Sequence, residues 1–169
     1  MTDSLLSALD LNTRQVIDAL AALDTDTINR KPNSGVWSLA QVVDHLTRSD
    51  MVMGRVTRGT TEPSQRDPLE KVEQMRTRFG DFESKLSAFG MLIPGNEAME
   101  LDDVVRKFTE ARAQFRESVA IGDPSDLCTR FAHPLFGQLT RAEWGWFTII
   151  HTERHLVQFS RIQSMLNTP

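Results

Sequence analysis

Four stretches of this chain repeat their apolar residues at spacings of three and four, the period of a helix that hides one face. The first runs from about Asp3 to Leu23, with Leu9, Thr13, Val16, Leu20 and Leu23 on one side, before NRKPNSG breaks the chain. The second opens at WSLAQV, where Ser38 is an N-cap and Gln41 completes a capping box, flanked by Trp37 and Val42 as a hydrophobic staple. Val42, Leu46, Ser49, Met53 and Val56 continue its face as far as RGTTEPS. The third spans about Leu101 to Ala120, striped by Leu101, Val104, Phe108, Ala111, Phe115 and Val119, with Gly122 at its C-terminal stop. The fourth repeats the opening of the second. In LTRAEW, Thr140 caps, Glu143 is the box residue and Leu139 is placed to staple to Trp144. Its inward stripe is Trp144, Phe147, His151, His155, Gln158, Ile162 and Met165.

Strand signals are scarce: the chain has no Tyr, no Asn-Gly or Asp-Gly turn and little strict alternation. The expected fold is therefore all-α, a four-helix bundle with a long, partly helical connection between the second and third helices. With 169 residues the chain has room for one full core, so residues 1–169 are read as one domain. Residues 60–99 form the connection. DPLEKVEQMRTRF has its own helix start, with Asp67 as cap, Pro68 first and Glu70 third; DFESKLSAF reads as a further short helix and GMLIPGNEA as loop. A connection this long is expected to pack as a lid or an interface.

The formal net charge is −4, and no long run of Lys or Arg offers the footprint that nucleic acid requires. The apolar runs are far below membrane-spanning length, and MTDSLLSALD lacks the basic start and apolar stretch of a signal peptide. A single cysteine, Cys128, excludes an internal disulfide framework. These features point to a cytoplasmic protein with neither a nucleic-acid nor a membrane partner.

The fourth stripe poses a chemical problem. His151 and His155 stand one turn apart on a face that should be apolar, where unpaired polar groups are costly. Side chains at i and i+4 lie about 5–6 Å apart at their β-carbons, close enough for two imidazoles to share a metal ion. A third ligand must come from another helix, and His45, on the edge of the second stripe, is the histidine available there. Three imidazoles leave coordination positions open, as in catalytic sites. The competing reading is of buried histidines satisfied by ordinary hydrogen bonds. HTERH is not the metalloprotease motif, because Glu153 stands two places after His151 and faces outward as a solvated charge.

Other residues are candidates for the pocket or its surround. Gln158 and Ser49 each sit one turn beyond a histidine, placed either to orient an imidazole or simply to be buried with a backbone bond. Arg154, on the shoulder of the stripe, either meets an anionic substrate or is solvated. His133 is held extended by Pro134, and lines the pocket mouth or bonds a loop backbone. Cys128 has no helix start or basic partner to make it a reactive thiolate.

WSLAQVVDHL, followed about a hundred residues later by HPLFGQLTRAEWGWFTIIHTERHLVQF, resembles the DinB/YfiT-like superfamily of four-helix-bundle proteins. The match is strong over residues 36 to 50 and 131 to 162, loose over the first and third helices, and absent across 60 to 99. The resemblance implies a divalent metal, zinc or nickel, on a triad of His45, His151 and His155. It also implies a bundle with a long crossover, often a homodimer. Some relatives are similar to thiol S-transferases that use low-molecular-weight thiols. The expectation is a metal-dependent enzyme with a small-molecule substrate, foremost a thiol S-transferase with such a thiol as co-substrate. A metal-dependent hydrolase and a non-catalytic stress or ligand-binding protein are the alternatives.

Overall fold

The structure, a computed structural model, describes residues 2–84, 87–88 and 90–167. Four long helices form the bundle: α1 (Thr2–Leu20), α3 (Leu39–Thr57), α5 (Leu101–Ala120) and α6 (Arg141–Asn167). Two short helices, α2 (Thr25–Asn29) and α4 (Val72–Gly80), and a 3-10 turn at Gly90–Leu92 lie in the connections. A two-stranded antiparallel sheet, β1 (Thr61–Glu62) with β2 (Leu127–Cys128), joins the crossover to the segment before α6, pairing Thr61 with Cys128 and Glu62 with Leu127. No helix among the described residues is long and apolar enough to cross a membrane.

The capping chemistry fixes the phase of the two helices that matter most. Ser38 accepts from the Gln41 amide and Gln41 returns a bond to the Ser38 amide, so α3 starts with both orphan donors satisfied. Thr140 and Glu143 do the same for α6, at 3.0 and 2.9 Å. Glu143 does more than cap. Its fully buried carboxylate takes both arms of the Arg66 guanidinium, at 2.6 and 2.7 Å, and the Lys71 amide at 2.8 Å, which pins the crossover onto the start of α6. Arg141 donates to the Thr57 and Ser118 carbonyls, among the last of α3 and α5, where helices leave carbonyls unpaired.

The connections differ from the sequence expectation in three places. The first helix ends at Leu20, not Leu23; a turn at Ala21–Ala22 lets the chain reverse into α2, which Asp24 caps through the Thr27 amide. Asp67 does not cap a helix. Its carboxylate accepts from the Leu69 amide in a local turn, and α4 begins later, at Val72. The short helix expected through DFESKLSAF is absent from residues 81–84 and 87–88, and its other positions lie outside the described residues. Asp81 explains the stop, because its side chain accepts from the Glu83 and Ser84 amides and holds the chain in a turn.

The core falls into two clusters along the bundle. Leu5, Leu9, Met53, Phe79, Phe115, Trp144 and Phe147 belong to one; Val16, Leu20, Leu39, Val42, Leu46, Phe108, Phe159 and Ile162 to the other. Gly145 lets α1 approach α6 closely: a Cβ there would stand 2.6 Å from Leu5 Cδ2. Polar side chains are buried as well, His45 and His151 among them.

Candidate metal centre

Val42, Leu46 and Val43 of α3 are buried, and that burial turns His45, two turns after the Ser38 cap, into the bundle. His151 and His155 arrive from α6. His151 Nε2 lies 3.2 Å from His45 Nε2 and 3.0 Å from His155 Nε2. The three potential ligand atoms lie within 4.8 Å of one another. His45 and His151 are buried and His155 is half-buried.

The opposite ring nitrogens are engaged as donors. His45 Nδ1 donates to the Leu92 carbonyl at 2.8 Å, and His155 Nδ1 donates to Gln158 Oε1 at 2.7 Å. Those bonds fix the tautomer, leaving a lone pair on each Nε2 that points toward His151. One proton on His151 Nε2 serves one neighbour and leaves the other without a donor. A cation shared by the three nitrogens satisfies all of them. Zinc bound at about 2.0–2.1 Å in a tetrahedron would space its nitrogens by roughly 3.3–3.4 Å, close to the 3.0 and 3.2 Å that separate His151 from its two neighbours, while the full set lies within 4.8 Å. The donor set therefore fits a divalent metal.

Electrostatics agree. Burial pushes the pKa of all three imidazoles down. For His155 it falls to about 3, with the charge of His45 adding to the effect and the Gln158 bond opposing it. His151 is driven well below its usual range by burial, then by the neighbouring His155 and His45 and by Arg112. His45 is lowered by burial against the opposing Leu92 bond and Asp44 charge. The rings are neutral at pH 7, the form that ligates. Aromatic rings wall the site: Phe147 stacks on His151 at 5.6 Å, Phe79 stands 5.9 Å from it, and Trp37 lies 5.2 Å from His45.

The remaining candidates have separate places. Gln158 is one turn from the cluster and holds the His155 ring. Ser49 is buried, and its hydroxyl has no hydrogen-bond partner among the described residues. Arg154 is engaged with backbone: it donates to the carbonyls of Phe79, Asp81 and Ser84 at 2.9, 2.7 and 2.5 Å, tying the end of α4 to α6. Its guanidinium thus caps a helix terminus. His133 accepts from the Leu135 amide at 3.1 Å and packs 4.7 Å from Phe147, the ring that stacks on His151. Burial lowers its pKa to about 4. Cys128 is buried, which pushes its thiol up to about 11 and keeps it protonated. Glu153 is exposed, 3.8 Å from Arg76.

Two contributors went unforeseen. The Leu92 carbonyl is a backbone group at the end of the 3-10 turn in the crossover loop, for which no side-chain pattern exists. That loop is fastened to α3 by Gln41, which donates to Gly95 O, and by Arg48, which donates to Met91 O. The second is a buried pair, Arg112 with Asp50, at 2.7 Å. A signal for it does exist: Arg112 falls four residues after Phe108 and three before Phe115, and Asp50 four after Leu46 and three before Met53.

The family model of the DinB superfamily matches residues 8–159, across both ligand-bearing helices. The chain belongs to the DinB superfamily. It is also similar to a protein of Bacillus subtilis (strain 168), uncharacterized protein YuaE, at 26% identity over 148 residues, covering 87% of this chain and 90% of that one. Among solved structures, TT2238, described as a four-helix bundle protein, superposes with a TM-score of 0.62 at 20% identity, covering 95% of this chain and 99% of the other. At that identity the likeness speaks to the fold alone. This DinB superfamily member carries a histidine triad placed to hold a metal.

Proposed function

We propose that this protein is a metal-dependent enzyme, a thiol S-transferase that joins a low-molecular-weight thiol to a small electrophile. The observation that carries the reading is the convergence of three Nε2 atoms at 3.0 and 3.2 Å with two of the rings fixed by outer hydrogen bonds. His45, His151 and His155 would hold zinc or nickel. A divalent ion there would lower the pKa of a bound thiol and favour the thiolate, the nucleophilic form. The chain's residues prepare the place. Leu92 and Gln158 orient the imidazoles, Phe79, Phe147 and Trp37 exclude water, and the half-buried flank at His155 admits the reactants.

The same ion would activate water in a hydrolase. Such a reaction needs a base nearby, and Asp50, the buried carboxylate of α3, is taken by Arg112. A non-catalytic ligand-binding protein is the other reading, favoured by the burial of His45 and His151. The proposal includes a homodimer acting on small molecules in the cytoplasm, without nucleic acid or membrane; the net charge of −4 supports the exclusion of nucleic acid.

The test starts with elemental analysis of untagged protein purified without chelators, expected to give about one zinc or nickel per chain. Metal-loaded protein is then assayed with a chromogenic electrophile and a panel of low-molecular-weight thiols, with and without chelator. Turnover that chelation abolishes and metal restores supports the transferase. Loaded protein inactive with every pairing overturns it, and protein that takes up no metal overturns the metal centre as well.

A further inference from the structure

Next to the histidines, the bundle buries a guanidinium. Arg112 of α5 is 2% exposed and donates Nε to Asp50 Oδ2 on α3 at 2.7 Å, Nη1 to Asn12 Oδ1 on α1 at 2.9 Å, and Nη2 to Thr152 Oγ1 on α6 at 2.9 Å. One side chain therefore touches all four long helices. Two of its partners belong to the metal-bearing helices. Asp50 follows His45 by five residues, about 7.5 Å along α3, and Thr152 directly follows His151.

A buried ion pair is a poor source of stability, since well-packed apolar residues of similar volume commonly do as well or better. Its distinctive property is direction. The guanidinium is a rigid planar fork, so its partners are held at fixed angles as well as fixed distances. Here that fork spans the gap across which His45 and His151 must meet at 3.2 Å. The Arg112 carbon also lies 5.0 Å from the centre of the Phe108 ring, which backs the plane of the fork.

We propose that Arg112 is a positioning residue for the metal centre: through Asp50 and Thr152 it sets the spacing of α3 and α6 so that the three imidazoles converge. The inference rests on the metal reading of the triad. It predicts that the fork can be replaced without loss of the fold but not without loss of the cluster's geometry.

The test uses the full chain. The Asp50→Leu/Arg112→Met double variant removes both charges together, so neither is left buried alone. Arg112→Lys keeps the charge and loses the fork. Phe115→Leu, a core change on the same helix that leaves the fork intact, is the control. Three readouts are compared: zinc affinity by chelator competition, the visible spectrum of the Co²⁺-substituted protein, and the ring ¹⁵N resonances of the histidines in metal-free protein. The double variant is expected to melt cooperatively, to bind zinc at least about tenfold more weakly, and to show an altered Co²⁺ spectrum, while Phe115→Leu keeps wild-type affinity and spectrum. A folded double variant with wild-type affinity and spectrum overturns the inference. Should the double variant not fold, Arg112→Lys decides by the same two measurements. Should wild-type protein bind no metal, the metal reading fails, and the ring resonances decide: displaced His45 and His155 signals in Arg112→Lys support the positioning role, and unchanged signals overturn it.

Discussion

Gln158→Leu isolates the outer hydrogen bond of the candidate metal centre. Gln158 Oε1 accepts from His155 Nδ1 at 2.7 Å, and Leu fills nearly the same space without an acceptor. Two consequences follow from the geometry. The Nδ1–H donor of a half-buried ring loses its partner, which costs about 1–3 kcal/mol, and the ring is no longer fixed with its Nε2 lone pair toward His151. At about 1.4 kcal/mol per factor of ten, zinc affinity should fall by roughly 10- to 100-fold, the range seen when partners of metal-bound histidines are removed. With zinc held in constant excess, the same loss removes about 1.4–2.7 kcal/mol of ligand stabilisation, or roughly 3–11 °C of melting temperature for a chain of this size. Metal-free protein carries the same unpaired donor and should also be destabilised, by up to about 1–3 kcal/mol, so the zinc-dependent part of the shift is the difference between melts with and without zinc. Chelator competition at neutral pH gives the affinity, and thermal melts with and without zinc give the stability. Gln158→Glu, which restores the acceptor, should recover the affinity. A Leu variant that binds within threefold of wild type would show that this bond does not orient the ring.

Metal-free protein should lose stability as pH falls from about 6.5 toward 3. Imidazoles with folded pKa values depressed to about 3 for His155 and about 4 for His133 bind protons more readily when unfolded, so stability is full above the unfolded value and declines below it. Urea denaturation across that window checks this, and a flat profile contradicts it. Gly145→Ala should destabilise despite a helix-propensity gain of about 1 kcal/mol, because the new methyl meets Leu5 Cδ2 at 2.6 Å and overpacking costs about 1–3 kcal/mol; a raised denaturation midpoint would refute the clash. Glu143→Ala should cost about 3–5 kcal/mol, toward the lower end because Arg66 can turn to solvent, and should expose the amides of Thr140 and Lys71 to hydrogen exchange. Unchanged protection there would mean that the crossover is held by other contacts.

What could be read in advance divides along a physical line. A helix announces itself through interactions within a few residues, so the Ser38–Gln41 and Thr140–Glu143 boxes and the apolar stripes of α3, α5 and α6 placed those helices nearly to the residue. The same locality made the His151–His155 pair visible, since one turn of α6 enforces their proximity whatever the rest of the chain does. His45 belongs to a different class. It meets His151 across 106 residues, and only its position on a buried helical face hinted at the encounter. The crossover resisted because its determinants are non-local. α4 starts where Glu143 takes the Lys71 amide, not where Asp67 and Pro68 spell a helix start, so a buried carboxylate 72 residues away outweighs the local signal. Arg154 shows the converse case: a charge that looks free on its own helix is committed to three carbonyls at the end of α4 and in the turn after it. Arg112 and Asp50 lie between these extremes. Opposite charges at apolar-stripe positions on two helices are costly unless they meet, so the pattern alone requires a pair, although it cannot say which way the fork points. The same arithmetic applies to the histidines. Polar groups placed where burial penalises them need partners, and a cation shared by His45, His151 and His155 would satisfy all three Nε2 atoms at once.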